Sequence, residues 1–468
     1  MKIVAISLSA VLCAGSVTAQ KVSLPKDLPA YGPEAPLAAP SVKTTKLDNG
    51  LTVWLVSEPG FPKVALSVAV RGGYAADPAD RPGISLLLAN TVDQGTTTRS
   101  AKQIAQDLQG AGGDLSAIPG KDSLIVSTNV LSSKLDKGLT AFADVVRNAS
   151  FPDAEITLAK RNAADNLRQQ ESQPAFLAGR AMANVLFGDN PYHVTSATQE
   201  SITATTSADL RKIYADRFRP DQAVLVVVGD FQADKMLADI KSRFDSWKAP
   251  STPPVPAAVG VSTPPRHAVS IVPRPGSVQT TLQLGMFGPM RSDPDYVAAL
   301  VANAIYGGTF GSRLTTNIRE DKGYTYSPFS ILRPYRAAGV LVTNADVRNE
   351  VTAPTFNEMT YELNRMVTTS PTPDELKQAE RYLVGTEAIQ LQSRDAVANE
   401  LARLWVNGLP PEEIGVYGKK VATTSAEDVN AAAKKYFSAA HTAIIAVGEE
   451  KVIREAFAPF DIPVQVLR

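Results

Sequence analysis

Residues 81–96 read RPGISLLLANTVDQGT. Pro82 and Gly83 open a short helix that carries Leu86, Leu87 and Leu88, then Ala89 and Asn90. A firmly started helix with an apolar run and one amide suits two readings: plain core, or the frame of a site whose reactive groups are gone. The chain holds three histidines, His193, His267 and His441, and no two lie three or four residues apart. A helical zinc motif sets two imidazoles on one helix face at that spacing, so this chain does not encode one. His193, in NPYHVTS, reads as a loop residue or a hydrogen-bonding partner. The segment GGTFGSRL (307–314) is glycine-rich ahead of a helix but lacks the Gly-Lys-Ser/Thr ending of a phosphate loop. A G-x-S-x-G serine elbow is also absent. The chain shows no self-contained catalytic constellation.

The elements around these residues occur twice. VALSVAV (64–70) reads as a strand and runs into Asp77-Pro78, and TTLQLGM (280–286) does the same before Asp293-Pro294. FPDAEI (151–156) and TPDELK (372–377) each start a long helix, the second with Thr372 as N-cap, Pro373 at the first helical position and acids in the first turn. AVLVVVGDF (223–231) and TAIIAVGEE (442–450) read as buried strands that end in Val-Gly. The matched features are offset by 216 to 221 residues, which points to an internal duplication. Strands alternate with long helices and hairpin-like segments such as LIVSTNV (124–130), predicting an α+β fold of two homologous layered halves rather than a doubly wound sheet. The helix SAKQIAQDLQG (100–110), with Ser100 as cap and Gly110 as stop, is read as structural.

The halves divide at residues 248–266, KAPSTPPVPAAVGVSTPPR, where six prolines and few large apolar residues predict a semi-extended linker. The expected organisation is a signal peptide at 1–19, a Pro-rich arm at 20–42, a first domain at 43–247, the linker and a second domain at 267–468. MKIVAISLSAVLCAGSVTAQ supplies one lysine, an apolar stretch and small residues before a cut after Ala19, which predicts export, most simply to the periplasm. Cleavage would remove Cys13, the sole cysteine, so an exported chain would depend on its packed core rather than on disulfides. Lys+Arg and Asp+Glu are balanced at 47 each, which speaks against nucleic acid as a partner. After the leader no run approaches the ~18 apolar residues that a membrane span needs.

The two α+β halves, the linker and the second-half run GGTFGSRLTTNIREDKGYTYS (307–327) resemble the insulinase/pitrilysin family of inverted zinc peptidases. The likeness is to the small heterodimeric form that includes mitochondrial processing peptidase and its bacterial relatives, and it covers residue 43 to the end. It implies a clam-shell-like half chamber. In active members the helix after Pro-Gly carries H-x-x-E-H, and those ligand, base and ligand positions fall here on Leu86, Ala89 and Asn90. The third ligand, a glutamate on the following long helix, falls near Asn166. Leu and Ala neither bind Zn²⁺ nor take a proton from water, and Asn is a poor zinc ligand.

The resemblance further implies an Arg and a Tyr seven positions apart that face the scissile carbonyl, and Arg319 and Tyr326 match in type and spacing. Read without the family, Arg319 is a solvated helix residue among Glu320, Asp321 and Lys322, and Tyr326 is core or rim. The segment LSAIPGKDSLIV (115–126) corresponds to the sheet edge that substrate peptides join, where Pro119 removes an edge donor. The expectation is therefore a chain that holds no cofactor itself, paired with a zinc-bearing homologous subunit that supplies H-x-x-E-H and acting on peptides. The rival expectation is an inert scaffold or peptide-binding pseudopeptidase, as the core subunits of the respiratory cytochrome bc complex exemplify. An autonomous peptidase with an unfamiliar zinc site is the remaining alternative.

Overall fold

The segment AVLVVVG is buried at every one of its positions, so both faces of that strand are covered. The computed structural model, which describes residues 39–260, 263 and 265–467, shows what covers them. The expected signal peptide and most of the Pro-rich arm lie outside the described residues. One sheet holds β1 (Lys43–Lys46), β2 (Thr52–Ser57), β3 (Lys63–Arg71), β4 (Leu115–Pro119), β5 (Ser123–Leu131) and β6 (Ala223–Gly229), in the order β1-β2-β6-β3-β5-β4. The other holds β7 (Val269–Pro273), β8 (Gln279–Gly288), β9 (Phe329–Pro334), β10 (Gly339–Arg348), β11 (Ala443–Gly448) and β12 (Val464–Val466), in the order β12-β7-β11-β8-β10-β9.

The duplication extends to strand direction. β2 runs parallel to β6, and β3 is antiparallel to both β6 and β5. In the same way β7 runs parallel to β11, and β8 is antiparallel to both β11 and β10. The sheets differ at one edge. β1 comes from the start of the first half and lies antiparallel to β2, whereas β12 comes from the chain's end and lies parallel to β7.

One face of each sheet is packed by helices of its own half, and the other is covered by a helix of the opposite half. The Arg394–Val406 helix of the second half lies on β3 and β6, where Leu401 and Ala402 join Trp54, Ala69, Val226 and Val228 in one apolar cluster. The Pro174–Phe187 helix of the first half lies on β8 and β11, with Ala178 and Met182 against Ile445 and Val447. Ser67 marks this contact in β3: its hydroxyl donates to Asn399 Oδ1 at 3.0 Å, which satisfies a polar group on an otherwise apolar face. The exchange explains why β6 and β11 read as near-continuous apolar runs, and why β3, whose sequence is read as alternating, is buried on both faces.

The local start signals behave as expected. Ser100 and Thr372 each cap their helices through a reciprocal capping box, with Gln103 and Glu375 as the returning side chains. Among the described residues no helix or strand falls between Phe244 and Val269. That proline-rich stretch is held by side chains of the first half, Arg219 donating to the Thr252 carbonyl at 2.8 Å and Asn190 to that of Val259 at 2.7 Å.

Candidate functional site

The turn that carries Arg319 is fixed from beneath. Ser312 caps it by accepting from the Thr315 N–H. Arg313 then forms a bidentate pair with Glu375, 2.6 Å from Nε and 2.9 Å from Nη2, which ties the glycine-rich run to the first turn of the Pro373–Gln390 helix. Leu314 and Ile318 are buried in the core of the second half. Asn317 donates to Glu358 and Glu362 at 3.0 and 2.8 Å, and Lys322 donates back to Asn317 Oδ1 at 2.9 Å. Over Thr316–Asp321 the helix widens into a π-turn, a device that re-aims side chains and recurs at functional sites. Gly323, at φ 64°, ends the turn in a left-handed conformation that suits glycine.

Arg319 leaves this anchored turn between two rings. Its guanidinium carbon lies 4.2 Å from the Phe310 ring and 4.5 Å from the Tyr326 ring, and Nε sits 3.1 Å from Glu320. Stacking on both rings holds the planar fork while its two terminal nitrogens make no hydrogen bond among the described residues. Tyr326 is 78% exposed, and the loop before it is pinned by Thr325, whose hydroxyl donates to the Asp346 carbonyl at 2.7 Å. The structure thus brings Arg319 and Tyr326 together as a pair of donors, of a kind that can polarise a carbonyl or hold an oxyanion. Phe310 is the member that the sequence reading passed over. Its signal was a large aromatic residue standing between glycines in GGTFGSRL.

The stretch RPGISLLLANTVDQGT forms the Ile84–Thr91 helix. Gly83 precedes it at φ 79°, and a Cβ there would fall 2.1 Å from the Ala197 Cα, so both conformation and space require glycine. The helix start is braced by a fully buried ion pair, Arg217 with Asp77 at 2.9 Å, and Asp77 also accepts from the Ser85 hydroxyl. Leu86 packs half-buried against the first-half core, Ala89 is buried, and Asn90 is exposed. This helix packs on Asp153–Glu171, where Asn166 is also exposed. The frame that would hold a metal is therefore built, but the four side chains on it offer no thiolate, imidazole or carboxylate, and they do not fit zinc. Among the described residues no group of three or more His, Cys, Asp and Glu could hold a metal ion.

Residues 52–195 match the family model for insulinase, peptidase family M16, and residues 204–383 match the model for the peptidase M16 inactive domain. The chain belongs to the insulinase/pitrilysin (M16) family. A Mycobacterium bovis protein named as an uncharacterized zinc protease is 26% identical over 422 residues, 89% of this chain and 96% of its own length. A Bacillus subtilis protein named in the same way is 25% identical over 360 residues, 76% of this chain and 86% of its own. Among solved structures, a peptidase M16 inactive domain from Pseudomonas fluorescens superposes with a TM-score of 0.82 at 26% identity, over 87% of this chain and 98% of that one. A protease from Helicobacter pylori shares the fold at a TM-score of 0.81 and 19% identity, over 88% of this chain and 100% of that one.

Two further features of this M16 chain bear on its chemistry. Two of its histidines serve local structure, with His193 Nδ1 2.9 Å from the Asn190 carbonyl and His267 Nδ1 3.1 Å from that of Thr442. The segment 115–126 forms the edge strand β4 and the start of β5, and only β4 lies on the sheet margin. Pro119 is the last residue of β4, opposite Leu124, so the missing donor falls at the strand's end rather than along the run 115–118.

Proposed function

We propose that this chain is the zinc-free subunit of an exported heterodimeric zinc metallopeptidase that cleaves peptides. A homologous partner with H-x-x-E-H supplies the metal and the general base, and this chain closes the chamber. Arg319 and Tyr326 donate hydrogen bonds to the substrate carbonyl as negative charge develops on it. The observation that carries this reading is a contrast. The metal frame persists with Leu86, Ala89, Asn90 and Asn166 on it, while Arg319 and Tyr326 are kept together on a heavily anchored turn. Support for the peptidase class comes from family membership and from relatives named as zinc proteases. Export rests on the leader-like first nineteen residues.

The test is coexpression with a neighbouring-frame homologue carrying H-x-x-E-H, followed by copurification and cleavage of an unstructured peptide. Arg319→Ala is expected to lower kcat by about 100-fold, the size of effect seen when one oxyanion donor is removed. Tyr326→Phe should lower it less, with the complex intact. Unchanged proteolysis in both intact complexes overturns the donor role. A second reading, an inert scaffold, draws on the ion pair between Arg319 and Glu320, which already engages one guanidinium nitrogen. Under that reading Arg319→Ala changes stability alone.

A further inference from the structure

A cavity of about 380 Å³ lies where the Pro174–Phe187 helix crosses the outer face of β8, β9 and β10. Its side walls are apolar, with Phe176 and Met182 from the helix and Ile331 and Val342 from the sheet. Its ends are unlike. The Lys121 ammonium stands at one end, donating to the Tyr192 and Val194 carbonyls and 6.0 Å from the Tyr335 ring, with Arg333 also on the wall. Neither cation has a carboxylate within ion-pair distance among the described residues, and the nearby Asp122 is already engaged by the Tyr192 hydroxyl and the Arg336 N–H. Burial, with Arg333 adding repulsion, pulls the Lys121 ammonium down to about 8 even though Asp122 opposes the shift. That end sets two cations, Lys121 and Arg333, against one nearby carboxylate, Asp122.

The middle of the wall is polar in a specific way. Gln283 is 7% exposed, its Nε2 donates to Asn344 Oδ1 at 3.2 Å, and its Oε1 has no partner. An unpaired buried acceptor costs about 1–3 kcal/mol, and a ligand N–H relieves it where a hydrocarbon chain does not. Along β10 the wall runs from Val340 to Asp346, about 20 Å at the rise of a strand. That length exceeds one amino acid and suits several extended residues.

We propose that this cavity takes the carboxyl-terminal residues of a peptide: the free carboxylate at Lys121 and Arg333, large apolar side chains against the walls, and a backbone N–H at Gln283. The inference rests on the peptide-handling role proposed above and names the substrate class, peptides with an apolar carboxyl terminus. Phe329 and Asp346 also line the cavity, and the Asp346 carbonyl accepts from the hydroxyl of Thr325, the residue before Tyr326.

The test uses the full chain alone, without zinc or a partner, so it stands or falls separately from the donor role of Arg319. Calorimetric titration compares an N-acetylated apolar hexapeptide ending in a free phenylalanine carboxylate, the same peptide as its carboxamide, and palmitate. The acid is expected to bind at least ten-fold more tightly than the carboxamide and than palmitate. Gly179→Leu fills the cavity from a helix position where an added Cβ meets no atom within 4 Å, so it should abolish most binding without lowering Tm. Arg333→Gln, on the exposed edge strand, should reduce the preference for the acid several-fold. Absence of peptide binding, equal binding of acid and carboxamide, stronger binding of palmitate, or a Gly179→Leu chain that binds normally each overturns the proposal.

Discussion

The guanidinium of Arg319 lies 4.5 Å from the ring of Tyr326, seven residues later in the chain, with Phe310 on its other side at 4.2 Å. The third member gives a prediction of its own. Phe310 is 66% exposed, so its removal leaves the core untouched and stability within about 0.5 kcal/mol. In the heterodimer proposed above, Phe310→Ala should lower kcat about ten-fold at unchanged KM, because the fork loses one of two surfaces that orient it. Steady-state kinetics beside thermal melts check both halves of the statement, and an unchanged kcat removes Phe310 from the site.

Arg313 and Glu375 join the glycine-rich run to the next long helix. Arg313 is 3% exposed, so Glu375→Ala strands a buried cation and is expected to cost on the order of 3 kcal/mol at pH 7. Hydrogen bonding from Arg313 holds the Glu375 carboxyl down at about 2, against 4.5 for an ordinary glutamate. The folded-state pKa is depressed, so the pair's contribution is full above 4.5 and fades as pH falls toward 2. Urea unfolding at pH 7 and pH 3 should therefore show the gap between native and variant chains narrowing at the lower pH. A gap that widens in acid contradicts the pairing.

The sign reverses at Glu387, which lines a cleft of about 700 Å³ beside Glu400 and Arg291. Burial, reinforced by Glu400 and opposed by Arg291, pushes its carboxyl up to about 7. The folded chain then holds a proton that the unfolded chain has released, so this group subtracts stability as pH rises from 4.5 through 7. Glu387→Gln should match the native chain below pH 4.5 and exceed it increasingly toward pH 8. Thermal melts across that range test it, and a constant offset at all pH values refutes it.

The sequence disclosed the duplication because strand identity follows from apolar runs and turn residues, which β3, β6, β8 and β11 carry locally. It disclosed Arg319 and Tyr326 as a pair only through family likeness, since their spacing alone suits a solvated turn. The role of Phe310 was not legible, because its partner stands nine residues away across a π-turn that no periodicity encodes. The Lys121 cavity was hidden for a related reason. Its walls come from the Pro174–Phe187 helix and from β8 to β10, parts of different halves that chain order keeps more than ninety residues apart. The helix exchange was half visible: fully apolar strands demanded cover on both faces, but nothing local named the covering helix.

That exchange determines how the molecule comes apart. Leu401 is fully buried on the Arg394–Val406 helix of the second half, yet its apolar neighbours include first-sheet residues such as Val226 and Val228. Leu401→Ala removes a large side chain from a contact that neither half can complete alone, at an expected cost of about 2–5 kcal/mol. Because the Pro174–Phe187 helix makes the reciprocal contact, loosening one sheet exposes the outer face of the other. Native and variant chains should each unfold in one transition, with the midpoint lowered in the variant. Fluorescence follows the first half through Trp54 and Trp247 and the exchanged helix through Trp405, on which Arg71 of β3 stacks at 4.3 Å. Substituting the tryptophans singly resolves the two reporters. If Trp405 reports an earlier transition than Trp54, the halves are independent and the exchange is not what holds them together.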